Sequence, residues 1–216
     1  MAELPDADTL YRALEALNLL EGKPPMWWPD YGMFDVVVGA VLTQNSQWTR
    51  VEQSLANLRD AGLLAPGAMS EAWPETVMEL IRPSGLFKNK ARVLQSLSTA
   101  LVESFGDFET FRDEVSRDWL LAQKGVGPET ADSILCYACG RNVMVVDAYT
   151  ARLLQAFGYE FESYDALQAW CVEGMEGHFA AEAFPEVYAR FHGMIVEYVK
   201  RYKKGKSIAL TDLVFP

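Results

Sequence analysis

The chain has 216 residues, half of them hydrophobic, which is enough apolar matter for one core or for two lobes of about 100 residues each. A net charge of −11 argues against a protein that coats nucleic acid by bulk charge, and no apolar run approaches the roughly 20 residues of a membrane span. Three cysteines do not make a disulfide framework and residues 1–5 lack the basic and apolar regions of a leader, so a soluble, cytoplasmic (in a prokaryote, nucleoid-associated) monomer is expected.

The hydrophobic pattern is helical nearly throughout, and all-α is the expected class. Leu10, Leu14 and Leu17 recur at helical spacing after Asp6 and Asp8, as do Val51, Leu55 and Leu58. Residues 88–105 read as one long helix with Ala91, Leu94, Leu97 and Leu101 inward, and residues 119–123 and 129–139 as two helices around a glycine turn. Residues 143–146 are the only strand-like run, and four residues suit an extended approach to Asp147 better than a strand. Breaks fall at 21–25, 65–67, 82–85 and Gly140, with no repeat and no long linker. Charge is uneven. Residues 190–216 hold six Lys or Arg against Glu197 and Asp212, a local +4, which leaves −15 on the preceding 189 residues.

The most informative stretch is Lys124-Gly125-Val126-Gly127-Pro128-Glu129-Thr130-Ala131-Asp132, with Asp147 sixteen residues beyond Ala131. One helix ends at Gly125, the chain turns, and a second helix starts on Pro128, whose missing N–H suits a first helical position, with Gly127 as N-cap. Two glycines allow a sharp turn that leaves N–H groups at a helix N-terminus, a phosphate site. Gly125, Val126 and Gly127 are therefore candidate contacts to a nucleic-acid backbone, read without regard to base sequence. The same pattern also describes a plain helix–helix turn. Asp147 caps the helix that follows it, and the cap and the helix dipole favour its ionised form.

These residues resemble the helix-hairpin-helix DNA glycosylase superfamily typified by endonuclease III. Ala40-Val41-Leu42-Thr43-Gln44-Asn45 is similar to the family's early DNA-facing segment, Ser84-Gly85-Leu86-Phe87-Lys88-Asn89-Lys90-Ala91 to its wedge loop, and Phe191-His192-Gly193 to its last core helix. The 3-methyladenine DNA glycosylase III branch is the most similar, through Trp27-Trp28-Pro29, Arg82-Pro83-Ser84-Gly85, Ile134-Leu135-Cys136-Tyr137-Ala138-Cys139 and Tyr188-Ala189-Arg190 before the Phe191 stretch. The resemblance implies a bilobal fold with a discontinuous domain: a helical barrel domain over 33–140, and a second lobe from 1–32 plus 141–216, with the hairpin and Asp147 at the mouth of the cleft. It puts the catalytic aspartate at Asp147, an anion able to stabilise a sugar cation and orient water. Gln44 and Leu86 become the side chains that intercalate where a nucleotide has been flipped out; read from residues alone, one is a solvated turn and the other core. Asn45, Lys88 and Lys90 become phosphate contacts, which with Arg92 and Lys124 would make a locally basic face on an acidic protein, one whose affinity falls quickly with salt.

Two absences narrow the chemistry that the resemblance implies. Glu129 stands where bifunctional relatives carry the lysine that forms a Schiff base, so no AP lyase activity is expected. Ala40 stands where adenine-excising relatives carry a glutamic acid, so the leaving base must depart without a proton, as a base alkylated at N3 or N7 does. Trp27, Trp28 and Trp48 then form a base pocket; stacking is worth roughly 1–3 kcal/mol and a cation–π contact about 0.5–2 kcal/mol, although each tryptophan alone is equally a core residue. Cys136, Cys139 and Cys171 are misplaced for the family's four-cysteine iron–sulfur cluster and read as buried thiols. His178 and His192 are too isolated for a metal pair. Neither metal nor other cofactor is expected, and the basic tail 200–206 is either a replacement for the cluster loop or a frayed helix end. The reading is a monofunctional glycosylase that removes alkylated purines, chiefly 3-methyladenine, from double-stranded DNA. Its alternatives are the same fold acting on mismatched thymine or uracil, and a non-catalytic helix-hairpin-helix DNA-binding module.

Overall fold

Helices begin where the sequence supplies caps. Asp6, Asp107, Ser116 and Ser163 each accept a backbone N–H three residues ahead, and prolines open the helices at Pro66, Pro74 and Pro128. The computed structural model describes residues 6–205 and 207–215. Residues 1–5, where no leader was read, and Lys206 of the basic tail lie outside the described residues. The chain divides into two compact units, one of residues 30–140 and one that joins residues up to 29 with those from 141 onward. No described helix is long and apolar enough to cross a membrane.

Helix α1 (Ala7–Glu15) precedes the central unit and belongs to the discontinuous one. The central unit runs through α2 (Phe34–Thr43), α3 (Trp48–Asp60), α4 (Pro66–Glu71), α5 (Pro74–Leu80), a 3₁₀ turn (Arg82–Ser84), α6 (Phe87–Phe105), α7 (Phe108–Glu114), α8 (Arg117–Leu121) and α9 (Pro128–Ser133), which widens into a π-helical turn over Ile134–Ala138. Every residue of α2 from Phe34 to Leu42 is buried, as befits a helix apolar on nearly all sides, its one charge being Asp35. The long helix α6 buries Ala91, Leu94, Leu97 and Leu101, the residues its spacing turns inward. This unit starts at Asp30, not at residue 33. Gly32 N–H donates to the Tyr137 carbonyl at 2.8 Å, and Arg59 pairs with Asp30 at 2.8 Å and Asp35 at 2.6 Å, so residues 30–32 are held by the central helices.

The discontinuous unit adds α10 (Ala148–Phe157), α11 (Tyr164–Glu173) and α12 (Phe184–Tyr202) to α1. Leu10, Leu14, Met144, Val146, Leu153, Phe191 and Ile195 are among its core residues. Residues 143–146 form no strand. Met144, Val145 and Val146 are buried, and Gln168 donates to the Met144 carbonyl at 2.6 Å, which steers an extended segment into Asp147. The tail is more ordered than a frayed end: β1 (Lys203–Lys204) pairs antiparallel with β2 (Ser207–Ile208). The Tyr198 hydroxyl lies 3.0 and 2.8 Å from the carbonyls of Ala209 and Thr211, and Tyr202 donates to Asp212 at 2.7 Å. Backbone pairing over two residues leaves no periodicity to read, which is why the sequence does not announce it.

Candidate active site

Asp147 is the N-cap of α10, and its two oxygens have separate surroundings. Oδ1 accepts from the N–H groups of Tyr149 and Thr150 at 2.9 and 2.8 Å and from the Thr150 hydroxyl at 3.1 Å, completing a capping box with Thr150. Oδ2 faces His192 on α12, whose Nε2 is 3.4 Å away, longer than a good hydrogen bond. Burial pushes the Asp147 carboxyl upward, but the His192 contact and the Thr150 donors outweigh it and hold the group below the ordinary carboxylate value. The Asp147 side chain keeps 13% of its exposure, so the carboxylate is largely desolvated.

Trp27 is held on four sides within the same unit. Its backbone is left-handed, with φ +65°, and its indole N–H donates to Glu197 at 3.1 Å. Glu197 also lies 3.3 Å from the Lys200 ammonium and 3.5 Å from that of Lys23. Burial raises the Glu197 carboxyl, and the indole N–H with the two lysines more than reverses this, so Glu197 is an anion. The His192 ring meets Trp27 edge-on at 5.2 Å, Trp28 meets it at 6.1 Å and 90°, and Lys200 lies 5.8 Å from its ring centroid. Gly193 makes this possible: a Cβ there would lie 2.4 Å from Trp27 Cγ. Trp28 is 7% exposed and mainly core, whereas Trp27 is half-buried. Trp48, the third expected pocket residue, is half-buried at the start of α3 in the central unit. Sequence reading missed Glu197 and Lys200 and treated His192 as structural; the spacing of Gly193, Glu197 and Lys200 along one face of α12 was the available signal.

In the central unit the hairpin has the predicted form, with Gly127 as N-cap and Pro128 in the first turn of α9. Gly125 has φ +92°, and a Cβ there would meet Val93 of α6 at 2.4 Å, so only glycine fits. Val126 requires a correction. Its N–H donates to the Gln123 carbonyl at 3.1 Å and its side chain is 6% exposed, so it anchors the turn and offers no N–H to a phosphate. A fully buried Asp132 on α9 binds Arg117 of α8 through bonds of 2.7 and 3.1 Å, bracing the two hairpin helices. Asp132→Ala is expected to destabilise the protein by roughly 2 kcal/mol, less than a wholly buried pair because Arg117 can rehydrate, measured by urea unfolding.

The remaining DNA-facing candidates differ in kind. The Gln44 amide donates to the Gly125 carbonyl at 3.0 Å and to the Thr130 hydroxyl at 2.9 Å, tying the end of α2 to the hairpin. Asn45 follows, exposed and left-handed at φ +52°. Leu86 projects just before α6 with 59% exposure and φ +48°, a conformation that costs a leucine energy. Lys88, Arg92 and Lys124 are exposed. Lys90 is not a phosphate contact: it is 3% exposed, and its ammonium donates to the carbonyls of Leu42 and Ser84, both at 2.8 Å. Spacing alone could not separate it from Lys88, one side of the helix from the other. Glu129 is exposed in the first turn of α9, and Ala40 is buried in α2.

The cysteines differ in burial and in the unit that holds them. Cys136 and Cys171 are fully buried, with thiols that burial pushes far above their ordinary value. Cys136 and Cys139 belong to the central unit and Cys171 to the other, and no group of three or more potential ligands occurs among the described residues. His178 pairs with Asp8 at 3.2 Å.

A mostly helical chain with a glycine hairpin and a capped aspartate defines a class that comparison with known proteins identifies. Residues 38–169 match the HhH-GPD superfamily of base excision DNA repair proteins, and a Methanocaldococcus jannaschii protein assigned to the DNA repair glycosylases is 38% identical over 189 residues, 84% of this chain and 83% of that one. The chain belongs to the HhH-GPD superfamily and is a helix-hairpin-helix DNA glycosylase of base excision repair. Among solved structures it is similar to the H. pylori 3-methyladenine DNA glycosylase bound to 1,N6-ethenoadenine, with a TM-score of 0.87 and 39% identity over 93% of this chain and 100% of that one. An endonuclease III–DNA complex shares the fold, with a TM-score of 0.66 at 21% identity over 94% of this chain and 90% of that one.

Proposed function

We propose that the protein is a monofunctional glycosylase that excises alkylated purines, chiefly 3-methyladenine, from double-stranded DNA and leaves an abasic site. The observation that carries this reading is the chain of contacts from the Trp27 indole through His192 to Oδ2 of Asp147, which joins a stacking surface to a fixed anion. A nucleotide turned out of the helix would stack its base on Trp27, beside Trp28. The C1′–N9 bond then breaks and its electron pair moves onto the purine, so a cationic base leaves neutral and needs no acid. Asp147 stabilises the sugar cation; water adds to C1′ and its proton passes to Oδ2 or to solvent. Gln44 and Leu86 fill the vacated stack, while Gly127 with the hairpin, Asn45 and Lys88 hold the phosphates as a monomer on the duplex. The chemistry needs no cofactor. The similarity to the H. pylori enzyme supports the substrate class.

The test is to incubate the protein with methylated DNA and identify the released bases by chromatography. Release of 3-methyladenine is expected, and release of only thymine or uracil from mispairs, or of nothing, would overturn the substrate assignment. With Glu129 in the lysine position, borohydride should trap no covalent complex and strands should break only after alkali. Efficient trapping would overturn the monofunctional reading and point to another amine such as Lys124.

A further inference from the structure

Lys90 is the buried charge that the proposed chemistry does not use. It lies in the first turn of α6, 3% exposed, and its ammonium donates to two main-chain carbonyls rather than to a carboxylate. One acceptor, Leu42, lies two residues before Gln44, in the last turn of α2, where carbonyls lack helical partners and a cation is favoured. The other, Ser84, lies two residues before Leu86, and the N–H of Lys90 donates to the Leu86 carbonyl itself at 3.1 Å. Lys90 thus grips the Leu86 turn on both sides and the Gln44 segment with the same side chain. Gln44 is in turn bonded to the hairpin at Gly125 and Thr130.

A methionine would fill the same space without desolvating a charge, so what lysine adds is the link between the two carbonyls. Burial lowers its pKa to about 8, consistent with a real desolvation cost. We propose that Lys90 is a positioning residue that holds the Gln44 segment and the Leu86 turn at a fixed separation, so that both side chains enter one gap in the duplex. This rests on the reading of Gln44 and Leu86 as gap fillers.

The experiment compares wild type, Lys90→Met and Lys90→Gln on one lesion in duplex and in single-stranded DNA, since only the duplex leaves a gap to fill. Duplex excision should fall about 10-fold or more, with single-strand excision within about threefold of wild type. In a background that lacks both gap-filling side chains, Gln44→Ala with Leu86→Ala, Lys90→Met should add little, because it acts through the side chains already removed. Equal losses on both substrates, or full additivity with that double variant, would overturn the proposal. Affinity for a duplex carrying an abasic analogue, measured for the same variants, gives the same comparison without excision. If wild type releases no alkylated base the substrate reading fails, and the abasic-site cycle alone decides for or against Lys90. If Lys90→Met does not fold, the comparison is made with Lys90→Gln.

Discussion

Asp147→Asn is expected to slow base excision by on the order of 10²–10³ while leaving binding to lesion-containing DNA intact. The amide keeps an oxygen that can accept from Tyr149 and Thr150, the bonds that Oδ1 makes, so the cap and α10 survive. What is lost is the charge on the oxygen facing His192. Asp147→Ala removes the cap as well and should cost a further ~1 kcal/mol of stability. The pair of variants therefore separates chemistry from folding. Because the folded carboxyl lies below its ordinary value, its contribution to stability is present above about pH 3.9 and is lost as pH falls through the folded value. The anion is also the working form, so the acid limb of the excision profile should lie below about pH 4. His192→Phe removes one of the contacts that together outweigh burial, and should move that limb upward. Excision by purified Asp147→Asn within a few-fold of wild type would refute the catalytic assignment.

What could be read in the sequence, and what could not, follows from the range over which each signal acts. Caps, proline starts and apolar spacing are local, and they located α6 and the starts of α9 and α10 to within a residue or two. Gly125 was legible for the same reason, although its closest neighbour, Val93, lies 32 residues earlier and is visible only in the fold. The direction in which a long side chain points is not local. Lys88 and Lys90 look alike in a basic stretch, yet one faces solvent and the other crosses the core to two carbonyls. Val126 was misjudged because the turn that exposes its neighbours engages its own N–H. Glu197 was missed because its meaning depends on Trp27, 170 residues away: its spacing from Gly193 and Lys200 marks a shared helix face but not the indole that face meets.

Trp27→Ala should weaken excision of 3-methyladenine about 10-fold or more, the loss of one stacking contact of roughly 1–3 kcal/mol. The clamp around Trp27 makes its conservative variants informative as well. Trp27→Phe keeps an aromatic face but strands Glu197 without the indole donor it accepts from at 3.1 Å, so it should fall between Ala and wild type. Gly193→Ala would force the ring off its seat, since the added carbon meets Trp27 at 2.4 Å, and should resemble Trp27→Ala although no aromatic is lost. Lys200 lies over the Trp27 ring, and Glu197, bonded to the same indole, balances its charge. A cationic purine stacked on this indole would therefore meet a ring whose nearest lysine is already compensated. If positive charge on the base supplies both stacking and easy departure, neutral bases must be poor substrates. The decisive measurement is a single-turnover comparison of 3-methyladenine with hypoxanthine in one sequence context, in wild type and in Trp27→Ala. A preference for 3-methyladenine that shrinks in the variant is expected; equal rates in wild type would mean that the pocket sorts bases by shape or hydrogen bonding instead.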